Sequence, residues 1–163
     1  MQTFSLKPTA AATIPALALF LLFQACGGGG NAAAQQSPDP IEGVWEAAVT
    51  VRDCASGNVL ATFRGSQMFH HGGTLSDTNS VPTITRGPGF GTWALNGAVY
   101  TGKFRFYTYD NAGVPTGTAR VTRSFTLSPD AKTSTSTNTI VFEDVNGAVL
   151  RTVCGSDVGS RAL

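Results

Sequence analysis

The chain has 163 residues, with eleven lysines and arginines against ten aspartates and glutamates. That length holds one modest domain. A balance this close to neutral excludes both the basic face that nucleic-acid binding needs and an acidic tail.

The N-terminus comes first. Met1 to Lys7 carries one lysine and no acid, and Ala10 to Phe23 is apolar, interrupted by Thr13 and Pro15. The apolar run is too short and broken for a spanning helix, which needs ~20 apolar residues. A weakly positive start, a compact apolar stretch and small residues predict a secretory leader over residues 1–25. Leu21 to Gly30 reads LLFQACGGGG. With Ala25 before Cys26, it resembles the bacterial lipoprotein box, in which the cysteine becomes the acylated N-terminus. The resemblance implies lipidation of Cys26, and Gly27 after it, in place of an aspartate, implies an outer-membrane destination. Cleavage after Ala32-Ala33-Ala34 is the alternative, and it removes Cys26 and releases a secreted protein. The glycines and the Asn31 to Pro40 stretch predict a flexible tether over residues 26–40.

The remaining residues, 41–163, form the predicted domain. Without Lys7 the chain beyond the leader carries ten charges of each sign. Val44 to Arg52 alternates, with Trp45, Ala47, Val49 and Val51 on one face. Leu60 to His70 is a second strand, with Phe63, Gly65, Gln67 and Phe69 on one side, and Gly73 to Ser76 a short third. Phe90 to Leu95 and Ala98 to Tyr109 flank Asn96-Gly97, a strong hairpin signal. Thr116 to Leu127, Thr133 to Phe142 and Ala148 to Cys154 complete the set, and Asp, Asn, Gly and Pro fill the turns between them.

Eight antiparallel strands in sequence order predict an all-β, up-and-down barrel, because closure removes exposed edges. A two-sheet sandwich is the competitor. Cys54 and Cys154 are an even pair in an exported chain and predict a disulfide. Closing about 100 residues, it stabilises by roughly 4.7 kcal/mol in the chain-entropy picture. Pinning the seam between first and last strands, it sets an expected register in which paired positions sum to 208. The last strand then runs past Gly155, and Arg161 lies opposite Ala47.

Gly43-Val44-Trp45 resembles the Gly-x-Trp opening of lipocalin-type barrels. The resemblance implies that Trp45 closes one barrel end beneath an arginine of the final strand, here Arg161, with Gly43 at the strand start. A second such tripeptide, Gly91-Thr92-Trp93, reads as an aromatic residue on a strand start rather than a repeat.

Candidate chemistry is sparse. His70 and His71 are adjacent on a strand and so point to opposite faces, with no third ligand to complete a zinc set. They read as turn-flanking residues. No serine-nucleophile elbow, phosphate loop or carboxylate pair is present, and nothing calls for a metal or cofactor. Arg123 interrupts the apolar row Ala119, Val121, Phe125 and Leu127. A buried charge needs a partner: a ligand carboxylate or phosphate, solvent at a barrel end, or an acid such as Glu46 or Asp77. Gln67 and Thr108 are placed in the same space, and Trp93, Phe104 and Phe106 line the expected ligand site. Thr78 to Gly91 is a long loop whose contact residues are Arg86 and Phe90. Thr133 to Thr139, rich in Ser and Thr, reads as a solvated edge strand.

The expectation is an envelope protein, anchored to the membrane through lipid, that binds a small lipophilic ligand and no nucleic acid. Two alternatives stay open: a loop-mediated interaction or inhibitor module, and a barrel isomerase resembling allene oxide cyclases, with Arg123 or His70 in the site. A lumen below about 300 Å³ would argue against a small-molecule site.

Overall fold

The computed structural model describes residues 37–82 and 84–162. The leader, Cys26 and most of the tether lie outside them. The strands are β1 (Gly43–Arg52), β2 (Val59–Phe69), β3 (Thr74–Asn79), β4 (Gly89–Asn96), β5 (Val99–Tyr109), β6 (Pro115–Leu127), β7 (Thr133–Asp144) and β8 (Val149–Arg161). Each pairs antiparallel with its sequence neighbours, and β1 pairs with β8, so the sheet is a closed barrel within this segment. The up-and-down barrel is therefore the fold, and the sandwich is excluded.

Turn chemistry explains the meander. Asp53 accepts from the backbone N–H of Ala55 and Ser56 at 3.1 and 2.7 Å. Asp110 does the same for Ala112 and Val114, and Asp144 for Asn146 and Ala148. Three of the four connections at one end of the barrel are thus opened by an aspartate that bonds its own turn. At the other end the Asn96-Gly97 hairpin holds, with Gly97 at φ 64°.

The disulfide between Cys54 and Cys154 forms, with Cα atoms 5.0 Å apart, but the register it was expected to set is off by two. Arg52 lies opposite Cys154 and Trp45 opposite Arg161, so paired positions sum to 206. The reason is local. Cys54 sits in the turn after β1 ended, so the bridge joins a turn residue to a strand and is not a rung of the ladder. The last strand does continue past Gly155, to Arg161.

Two further expectations are corrected. β3 extends to Asn79, which shortens the expected 78–91 loop to the stretch between Asn79 and Gly89. The Ser/Thr-rich stretch of β7 is not an edge: it pairs with both β6 and β8, and Ser134 and Ser136 point inward and are buried.

The interior is filled unevenly. At the end where the chain enters, Phe69, Trp93, Tyr100 and Phe125 pack ring on ring, with centroids 5.3 to 6.4 Å apart. Ile41 is 1 % exposed and seals the same end with Trp45 and Leu75. The Trp45 indole N–H donates to the Ile41 carbonyl at 2.7 Å. Asp39 and Pro40, which the sequence assigns to the tether, bond to the barrel here: Asp39 accepts from the Tyr100 hydroxyl at 2.6 Å, and the Pro40 carbonyl accepts from Arg161.

Candidate functional site: a one-ended apolar cup with a charged floor

The Gly-x-Trp opening of β1 lies at this closed end. Arg161 stacks on Trp45, its guanidinium carbon 4.8 Å from the ring centroid, and donates to the Glu42 carbonyl at 2.8 Å. Gly43 has φ 117°, which an L side chain rarely adopts, and an added Cβ would lie 3.0 Å from Arg161. Gly91, first residue of the second tripeptide, is required for a different reason: a side chain there would collide with the backbone of β5 at Lys103. The two tripeptides share letters and not a role. The Trp93 indole donates to the His70 carbonyl at 3.1 Å within the aromatic plug.

The opposite half is hollow. A cavity of about 340 Å³ opens at the end where β1 finishes and β8 begins. Its walls are apolar and come from six strands: Val49 and Val51, Phe63, Phe104 and Phe106, Val121, Ile140 and Val153. Phe142, Thr108, Leu60 and Arg151 lie nearer the mouth. Arg151 stacks on Phe142, 4.4 Å from the centroid.

Between plug and cup runs a layer of charged and amide side chains. Arg123, 4 % exposed, donates to both oxygens of Asp157 at 3.0 and 3.2 Å and to the Gln67 carbonyl oxygen. Gln67 in turn donates to Asp77 at 3.0 Å, and Asp77 pairs with Arg86. On the other side Asp157 accepts from Ser136 and, at 3.0 Å, from Asn138. The chain Arg86–Asp77–Gln67–Arg123–Asp157–Asn138 crosses the whole barrel. Two of the layer's hydrogen bonds join cross-strand partners by register, Gln67 with Asp77 and Ser136 with Asp157, and Arg123 stands opposite Asn138. Gly102, opposite Arg123, leaves the room for it: an added Cβ would sit 3.1 Å from the Arg123 Cγ.

The electrostatics follow from burial. Desolvation pushes the Asp77 carboxyl above its ordinary value, against the pull of Arg86 and the Gln67 bond. It also lowers Arg123, against Asp157 and then Asp77. The layer persists because each charge has an opposite partner and several hydrogen bonds. Aromatic rings support the arginines: Arg86 lies 3.9 Å from the Phe106 centroid, and Arg123 rests 4.8 Å from Phe125, on top of the plug.

The predicted residues divide accordingly. Arg123, Gln67, Phe104, Phe106 and Thr108 line the cavity together. Trp93 does not; it belongs to the plug below the charged layer, because its strand position lies nearer the closed end. Arg123 pairs with Asp157 and not with Glu46 or Asp77, and Glu46 faces outward to Arg64 at 3.5 Å. Of the two loop residues, Arg86 turns inward into the layer, whereas Phe90 is 62 % exposed on the outside. The histidines lie beyond the end of β2, in the turn and not on the strand, where His70 reaches the Ser76 hydroxyl and His71 the Glu42 carboxylate. Asp157, Asn138, Ser136 and Asp77's bond to Arg86 are the site features that sequence reasoning missed.

The fold and site define a class: an up-and-down β-barrel plugged at one end and holding a one-ended apolar cup. No protein-family model matches the chain, and a comparison with curated protein sequences gave no match.

Proposed function

We propose that this chain is a lipocalin-like binding protein that holds one small, mainly apolar ligand in the open half of the barrel. The observation that carries the reading is the cup itself. Its volume of about 340 Å³ falls at the small end of the range for ligand sites, and its apolar walls with few convergent polar groups are what such sites require. Exposed aliphatic side chains stand at or beside every connection of the open end, namely Leu60, Ile84, Val114 and Val145. They continue the apolar lining onto the rim, by which an apolar molecule enters.

Native mass spectrometry of the barrel, residues 37–163, made in an oxidising compartment, tests the reading. A small molecule released on denaturation is expected. It is lost in Ala61→Trp, which places a large side chain at an exposed position lining the mouth. A bare mass, together with no retention of added apolar compounds, contradicts the reading.

The place of action in this proposal is the cell envelope, with acylated Cys26 tying the barrel to the membrane, the outer one where the cell has two. The support is the residue pattern around Cys26. Mass analysis of the mature N-terminus checks it: a diacylglycerol-modified Cys26 is expected, and a chain beginning after Ala34 contradicts it.

A further inference from the structure

The charges that line the cup do not balance. They are Asp77, Arg86, Arg123, Arg151 and Asp157. Arg86 pairs with Asp77 and Arg123 with Asp157, so the floor is neutral and Arg151 carries the positive charge left over. Among the described residues it has no ion-pair partner. The acids nearest along the chain are committed elsewhere: Glu143 pairs with Arg120 at 2.6 Å, and Asp144 accepts from the backbone of its own turn. Asp53 and Asp110, at two other turns of the open end, do the same. Arg52, at the end of β1, donates to the Gly57 carbonyl at 3.3 Å. Arg151 stands on the inward row of β8 with Val153 and Asp157, and it is exposed where that row reaches the mouth. Its cross-strand neighbour Phe142 holds the guanidinium, 4.4 Å from the ring centroid. A guanidinium held over a ring keeps its fork of N–H donors for a planar acceptor.

Building on the binding reading above, we infer that the cup takes a single-tailed anion, a fatty carboxylate of medium length, with its head outward. The carboxylate meets Arg151 at the mouth, and the hydrocarbon runs inward along Phe106, Val121 and Ile140. The orientation follows from the charges. Each ion of the floor is already paired and hydrogen-bonded, so an anion buried there gains little and loses its water. At the mouth a carboxylate keeps part of its hydration and accepts two parallel N–H bonds from one guanidinium. Volume sets the length: about 340 Å³ is the space of about eleven water molecules, which suits one chain of roughly eight carbons and not the paired tails of a phospholipid.

The test uses three ligands with the same tail and different heads: octanoate, octanol and octylammonium. Each is scored at neutral pH and low salt by displacing the uncharged fluorophore aminoanthracene from the protein. Octanoate is expected to bind about fivefold more tightly than octanol, the upper end for an ion pair at an exposed site, and octylammonium least tightly. Added salt should shrink the difference, because the pair sits where solvent screens it. Arg151→Gln should erase the preference for octanoate while octanol binds as before, an outcome that a merely structural role for Arg151 does not give. Arg151→Glu should place octylammonium ahead of octanoate. Octanol binding as tightly as octanoate to the unaltered protein overturns the anion site and leaves the cup. Octylammonium binding tightest also overturns it, in favour of the turn aspartates. A preference unchanged in Arg151→Gln overturns the assignment to Arg151. If the fluorophore never binds and nothing competes, the binding reading itself fails, a distinguishable outcome.

Discussion

The two halves of this barrel are built from the same eight strands and the same inward alternation, yet one is solid and the other hollow. In the closed half, inward positions carry Phe69, Trp93, Tyr100 and Phe125, whose rings meet one another, and Trp45 beneath Arg161. In the open half they carry Ala47, Val49, Val51, Val121 and Val153, which are too short to meet across the lumen. The phenylalanines there, Phe63, Phe104 and Phe106, line the wall. The difference teaches that side-chain size at alternate positions, and not strand number, decides whether an eight-stranded barrel is a core or a vessel. The Arg123–Asp157 layer is the divide.

The sharpest way to break this division is to remove one member of the divide. Arg123→Met leaves Asp157 buried without its cation and should cost about 3–5 kcal/mol, read from urea unfolding. Arg123→Met/Asp157→Leu should cost clearly less, because no uncompensated charge remains. If the single and double variants are equally destabilised, the layer's charges are not held by each other.

Matched truncations compare the halves directly. Phe125→Ala in the plug should cost about 3–5 kcal/mol, since it opens a void among packed rings. Phe63→Ala, half-buried on the cup wall, should cost about 1–2 kcal/mol, because its side chain already faces open volume. Equal costs would mean that the cup is packed in solution. Reducing the Cys54–Cys154 bridge should cost about 2–4 kcal/mol. It frays the seam at the mouth, so ligand retention should fall faster than the near-ultraviolet signal of the plug.

The smallest effect is with pH. Asp53, at an open-end turn, is held below its ordinary value, first by the Ser56 backbone N–H and then by the Ser56 hydroxyl. A lowered carboxyl contributes stability that is present above its unfolded value, near pH 4, and lost as pH falls through the folded one. Asp77 has the opposite sign. Its raised value makes its contribution fullest in acid and smaller as pH rises through that value. Asp53→Asn should therefore flatten the acid limb of a stability profile below pH 4 without touching the cup. An unchanged acid limb would show that this turn does not couple to folding.

Much of the barrel was legible in the sequence because its causes are local. Alternation over Val44 to Arg52 and Thr116 to Leu127, Asn96-Gly97, and the turn aspartates each act within a few residues. The inward row containing Arg123 was readable for the same reason. Its partner was not, because Asp157 meets Arg123 only once β6, β7 and β8 are paired in register, and the expected register was two residues wrong. Cys54 caused that error: a disulfide restricts distance, and a turn residue satisfies the distance as well as a strand residue does. Ser134, Ser136 and Asn138 were hidden by their chemistry. In a Ser/Thr-rich strand the two faces carry similar residues, so period-two reading cannot separate the buried row from the wet one. Trp93 was misplaced along the barrel axis for a related reason: alternation fixes the face of a residue and not its height.

The claim that one half is solid and the other takes a ligand is tested most directly by methyl-resolved NMR during titration with octanol. The account predicts saturable shifts for Val49, Val121, Ile140 and Val153 in the cup, with Ile41 and Leu75 of the plug and the outward Val158 unmoved. Shifts spread equally over plug, cup and outer surface, or none at all, would contradict it.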